Sequence, residues 1–123
     1  INIISELYSS TTGINLTPQE LIKYSERIWN LFKMINVREG FSRKDDEPPE
    51  VWFQPIQTHE GKELYMMDYY KMKRLTRKDV IQWLNDYYDE RGWDLEKGIP
   101  TKKKLLELEL EDMVPDLYRT EFS

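Results

Sequence analysis

Cysteine is absent from the 123 residues. That absence excludes disulfides, a thiolate nucleophile and protein thiolate ligands to an iron–sulfur cluster from this chain. It also fits the cytoplasm, where we expect the protein. Histidine occurs once, as His59, so a His-based zinc site or a His-activated nucleophile would rest on a single residue with no spaced partner. We read it as a polar loop residue beside Glu60 and Gly61. The five glycines stand apart, and no glycine-rich phosphate loop forms. Long apolar runs are missing, so neither a signal peptide nor a membrane helix is read. Basic excess is missing too. The formal charge of −5 opposes general nucleic-acid binding, which needs a surplus of Lys and Arg against phosphate. No nucleic acid and no membrane are expected as partners.

What is present is a soluble, aromatic-rich composition: 39% hydrophobic, 33% charged and 13% aromatic. The length suits one domain, so 1–123 is read as a single helical domain. The start at Ile1, inside an amphipathic turn, is read as a cut.

Periodicity predicts a mainly α chain of about four helices with an irregular middle. Ile3, Ile4, Leu7 and Tyr8 mark a short helix over 2–10, closed by "SSTTG". "LTPQEL" is the best helix start: Thr17 caps, Pro18 takes the first position, and Glu20 completes a capping box. Leu16 and Leu21 are spaced as a hydrophobic staple across it. Leu21, Ile22, Ile28, Trp29, Phe32 and Ile35 then share one face, and the helix is predicted over 18–39. Gly40 suits a left-handed ending, with Phe41 folding back onto Ile35. From Val51 to Lys73 the pattern is weak, with short extended pieces expected around a turn at Glu60–Gly61. Thr76 and Asp79 open another helix that Gly92 ends. A last helix follows "GIPT". Its Lys102, Lys103 and Lys104 stand at the wrong end of the helix dipole, so tertiary contacts must hold it.

Few charged clusters could carry chemistry. Asp86, Asp89, Glu90 and Asp94 fail the alternating pattern of a calcium loop and read as a solvated edge. "KMKRLTRK" follows Tyr69 and Tyr70, the mixture that stacks on nucleic acid, yet it also caps a helix in an acidic chain. "NVREGFSRKDDEPPE" offers Arg38 and Arg43 as anion donors and Asp45 and Asp46 as a carboxylate pair. With no second acidic cluster at a readable spacing, these four are read as candidate interdomain contacts. No catalytic, cofactor-binding or metal residue is assigned.

Two blocks go beyond composition. "SERIWNLFKMINVREGFSRKDDEPPE", residues 25–50, and "YYDERGWDLEKGIPTKKKLLELEL", residues 87–110, resemble the C-terminal end of the tungsten-containing aldehyde ferredoxin oxidoreductase family, in the family's order. "INIISELYSSTTGINLT" also looks like the segment before the first block. Ser25 stands where the family usually has glycine or another small residue, Lys103 at a commonly acidic position, and Glu109 in place of the glycine of a usual "LGL". The tail through Ser123 is not covered.

The resemblance implies an oxygen-sensitive enzyme of anaerobes that oxidises aldehydes to carboxylic acids and reduces ferredoxin. It implies tungsten, or sometimes molybdenum, between two molybdopterin-type pterins beside a [4Fe–4S] cluster. The family's cysteine, pterin and acid–base motifs match no residue here. No cofactor is therefore expected on this chain itself, and the isolated piece is expected to be inactive. Its expected partners are the remaining domains of the same enzyme, with ferredoxin for the intact enzyme. Apolar surface from Trp29, Trp52, Phe53 or Trp93 would favour self-association of the fragment. The competing reading is a free-standing helical protein-interaction module derived from the family.

Overall fold

Capping chemistry sets where the helices begin and end. In the computed structural model, which describes residues 1–122 and side chains through residue 117, α1 spans Asn2–Thr12 and stops at Gly13, whose φ is +74°. Helix α2 spans Pro18–Arg38. Glu20 N–H donates to the Thr17 hydroxyl at 3.2 Å, and the Thr17 N–H donates to the Glu20 carboxylate at 2.8 Å. That reciprocal box satisfies two otherwise orphaned donors. At the other end Phe41 N–H reaches Asn36 C=O and Gly40 N–H reaches Val37 C=O, both at 3.0 Å. With Gly40 at φ +92°, this is the complete Schellman pattern. Phe41 itself stays half exposed.

The stretch after Gly40 departs from the expected loop. Residues Arg43–Asp46 make one helical turn, α3. The prolines stop α2 from running on, but a new turn started by Ser42 needs no donor from them. A 3₁₀ turn, Glu50–Phe53, follows, where extended backbone was expected. Strands β1 (Ile56–Gln57) and β2 (Glu63–Leu64) pair antiparallel, Ile56 opposite Leu64. Their connection is closed by Gly61, at φ +74°, and by Thr58. Helix α4 is Arg77–Arg91, boxed by Thr76 and Asp79 and ended by Gly92. Helix α5 is Lys102–Glu107, capped by Thr101, and a 3₁₀ segment covers Glu111–Phe122. The mainly α fold agrees with the periodicity.

Within the chain two compact units stand out: Ile1–Phe41 with Ile99–Ser123, and Ser42–Gly98. The first holds the apolar core. Met34, Val37, Ile99, Leu105, Leu108, Leu110 and Leu117 are buried together, with Leu31, Met113 and Val114 partly buried against them. Helix α5 is thus held by Leu105 and Leu108 despite its misplaced lysines. Lys104, moreover, reaches Glu26 at 3.1 Å. The second unit packs Tyr87, Tyr88 and Trp93, the Tyr87–Trp93 pair edge-on with centroids 5.6 Å apart. Trp93, expected among the exposed aromatics, is buried.

The face that α2 buries differs from the one its apolar spacing suggests. Asn30, Lys33, Met34 and Val37 point into the unit, whereas Ile22, Ile28, Trp29, Phe32 and Ile35 are 42–61% exposed. At 3.6 residues per turn the two stripes lie roughly 140° apart around the helix. Helix α1 does the same on a smaller scale. Its Ser5 is buried and donates to Leu16 C=O, while Ile3, Ile4 and Leu7 face outward.

Candidate domain-contact site

All four candidate residues have structural partners, and each sits within one unit. In the first unit, Arg38 stands in the last turn of α2, where its charge suits the helix C-terminus. Its Nη2 and Nε donate to Asp116 Oδ2 at 3.0 and 3.2 Å. Asp116 is buried while Arg38 is half exposed, so the guanidinium supplies the counter-charge that a buried carboxylate requires.

Arg43, Asp45 and Asp46 belong to the second unit. Asp45 is the reciprocal cap of α3, accepting from Ser42 N–H at 2.8 Å and from its hydroxyl at 3.2 Å. The Ser42 backbone donor holds its carboxyl below the usual aspartate range. Asp46 accepts from the Tyr88 hydroxyl at 2.6 Å. Burial, together with that carboxylate, pushes the Tyr88 phenol well above its ordinary value.

Arg43 is the hub. Its Nη2 donates to Asn85 Oδ1 at 2.8 Å, its Nη1 to Leu95 C=O at 2.5 Å, and its backbone N–H to Lys97 C=O at 3.0 Å. The same guanidinium lies 5.3 Å from the Tyr88 ring centroid and 3.8 Å from Glu47. One side chain therefore ties α3 to α4 and to the turn after Trp93. A planar fork with five donors does this, whereas a lysine offers one point charge. Space is tight there. A Cβ at Gly98, whose φ is +66°, would meet Tyr88 Oη at 2.6 Å and Arg43 Cα at 3.0 Å. Asp94 Oδ1 closes the turn by accepting from Glu96 and Lys97 N–H at 2.9 and 2.8 Å.

Sequence reasoning found Arg43 and missed its partners. Glu47 and Arg77 pair at 2.7 Å, and Arg77 also reaches Pro48 C=O at 3.0 Å and Glu50 at 3.2 Å. The alternation of charge in "KDDEPPE" was the signal, but its complement lies about thirty residues on. Three of the basic residues in the run 71–78 are likewise engaged. Lys73 pairs with Asp79, Arg74 sits 3.6 Å over the Tyr65 ring, and Arg77 is bound as above.

Glu109, where the resemblance expects a glycine, stands just past Leu108, the C-cap of α5. Glu109 takes φ +57°, a left-handed geometry that favours glycine. Leu110 N–H returns to Leu105 C=O at 2.9 Å, and the Glu109 carboxylate meets Lys23 at 2.7 Å and Arg27 at 3.6 Å. The Lys23 hydrogen bond lowers the Glu109 pKa from its ordinary value.

As a cofactor site the described residues offer little. Among them no three His, Cys, Asp or Glu side chains gather as a metal would need, and the sequence contains no thiolate donor. A cysteine-ligated cluster would find no ligand in this sequence. No described helix is long and apolar enough to cross a membrane.

Comparison with known families covers both sequence blocks. The model of the family described as aldehyde ferredoxin oxidoreductase, domains 2 and 3, matches residues 1–110. That span takes in α1 to α5, the Arg43 hub and the left-handed Glu109. The chain thus belongs to the aldehyde ferredoxin oxidoreductase family.

Proposed function

We propose that these residues are the C-terminal structural portion of a tungsten- and pterin-dependent aldehyde:ferredoxin oxidoreductase. The intact enzyme converts an aldehyde and water to a carboxylic acid and passes two electrons to ferredoxin. The observation that carries this reading is the family match across residues 1–110. The sequence has no cysteine to ligate a cluster, and in this reading the metal, the pterins and the cluster are held by other parts of the enzyme. This chain then supplies scaffold.

In that scaffold the Arg38–Asp116 pair and the Arg43 hub each stiffen the backbone around them, at the end of α2 and at α3. Arg38, Arg43, Asp45 and Asp46 act as domain contacts through the backbone shape they hold. The exposed Val51, Trp52, Ile56 and Leu64 of the second unit are the apolar surface that the remaining domains cover. The test compares the intact enzyme with the isolated 123-residue chain, both purified without oxygen. We expect the chain alone to hold no tungsten and oxidise no aldehyde. In the intact enzyme, Trp52→Ser lowers tungsten retention and aldehyde oxidation together. Stoichiometric tungsten or aldehyde oxidation by the isolated chain would overturn the reading, as would an unaffected Trp52→Ser enzyme.

A further inference from the structure

Tyr88 is a titratable side chain inside the second unit, and the scaffold role gives its phenol no chemical use. It is fully buried, and its hydroxyl donates to Asp46 Oδ2 at 2.6 Å. That length falls in the range of charge-assisted O–H···O⁻ bonds. Asp46 itself lies at the surface, so a proton received there has a path to water. Trp93, also buried, lies against Tyr88 with ring centroids 5.7 Å apart. Partly buried Tyr87 follows, 5.6 Å from Trp93. Three oxidisable rings thus run from the interior of this unit toward its surface. Tyr65 makes the same kind of bond, to Glu63 at 2.5 Å, but among the described residues no aromatic ring packs against it.

We propose that Tyr88 is a redox-active residue, oxidised by one electron with simultaneous transfer of its phenolic proton to Asp46. The electron leaves through Trp93 and Tyr87 to a strong one-electron oxidant at the surface, of the oxygen-radical class. The O–H bond of Tyr88 breaks, an O–H bond forms on Asp46 Oδ2, and the oxidant is reduced by one electron. A neutral phenoxyl radical remains. Burial requires this coupling, because a cationic ring in a water-excluded site is costly. The Arg43 guanidinium, 5.3 Å from the ring centroid, adds like-charge repulsion to that cost. Loss of the proton alone is no easier, since burial and the neighbouring carboxylate push the phenol well above its ordinary value. Arg91, 5.3 Å from the Tyr87 ring centroid, opposes a positive charge on Tyr87 in the same way and favours its passage inward. The inference does not rest on the chain's place in an oxidoreductase.

The experiment uses the full chain, whose lack of cysteine lets an exposed Glu90→Cys carry a single ruthenium polypyridyl photo-oxidant. Position 90 lies about one helical turn from Tyr87. Flash oxidation of the label is expected to yield a neutral tyrosyl radical, read by transient absorption and electron paramagnetic resonance. The radical should form more slowly in heavy water. Tyr88→Phe should remove it, with the circular dichroism of the fold retained. Asp46→Asn keeps an oxygen that accepts the hydrogen bond but takes no proton, and it should slow radical formation roughly 100-fold. Tyr65→Phe should leave the radical unchanged. If Tyr88→Phe loses its fold, the rate in Asp46→Asn decides by itself. An equal radical yield in folded Tyr88→Phe overturns the proposal. Formation at the parent rate in Asp46→Asn overturns it too, and so does a tryptophan radical as the lasting product.

Discussion

The two units of this chain are stabilised by different physics. Residues of the first bury an aliphatic cluster around Met34, Leu105 and Leu108. The second, Ser42–Gly98, relies on one arginine, one tyrosine–carboxylate bond and a small aromatic group. Apolar burial is non-directional, so the first unit depends on volume. A polar hub is directional, so the second depends on the position of each donor and acceptor. The difference also sets what each tolerates. A methyl group lost from the aliphatic cluster leaves a void, whereas one added beside Arg43 finds no room.

The largest effect should come from the first unit. Leu105→Ala, at a fully buried site, is expected to cost about 2–5 kcal/mol in urea unfolding. A loss under 1 kcal/mol would remove the distinction drawn here. Next stands Gly98→Ala in the second unit. The added Cβ meets Tyr88 Oη at 2.6 Å on a backbone at φ +66°, with an expected cost of about 1–3 kcal/mol. Tyr88→Phe leaves Asp46 without its 2.6 Å donor and should cost about 1–3 kcal/mol. A neutral Tyr88→Phe would show that ring packing, and not the hydroxyl, sustains the hub. Thr17→Ala removes a cap with well-formed geometry and should cost about 1 kcal/mol.

Acid sharpens the comparison from another side. The Lys73 hydrogen bond, aided by Thr76, holds the Asp79 carboxyl well below the usual aspartate range. Its folded pKa is depressed, so its contribution is complete above the unfolded value and fades as pH falls through the folded one. Stability measured from about pH 5 downward should therefore decline more gently in Asp79→Asn than in the parent. The smallest effect is expected at Glu109, where two opposed terms meet. Glycine would relieve the left-handed backbone at φ +57° but lose the contacts with Lys23 and Arg27. Exposed ion pairs are weak, so the unfolding midpoint of Glu109→Gly should rise slightly. A fall would mean that the ion pairs outweigh the strain.

Much of this was legible in the chain itself. Thr17–Pro18–Glu20, Thr76–Asp79, Gly40 and Gly92 are local signals, read within four residues of where they act, and each cap formed. Local rules did not reach the short turn of α3, because Ser42 and Asp45 build it in a window dominated by prolines. They did not reach the 3₁₀ turn at Glu50–Phe53 either, since "VWF" suits a strand equally well. At the candidate site, sequence reading picked out Arg43 and Asp46 but not Asn85, Tyr88 or Gly98. Those partners come from about forty to fifty-five residues away, beyond any periodic signal.

Sequence alone therefore determined the four helices that periodicity marks, the caps that bound them and the family, since capping, periodicity and two long motifs are all local properties. Tertiary structure alone decided which face of α2 is buried. Apolar spacing identified the stripe of Ile22, Ile28, Trp29, Phe32 and Ile35 correctly, and the fold turned it outward. The core is formed instead by Met34 and Val37 against α5 and the C-terminal segment, with Asn30 and Lys33 beside them. A hydrophobic pattern specifies that a surface wants cover; only the arrangement of the other elements decides what provides it.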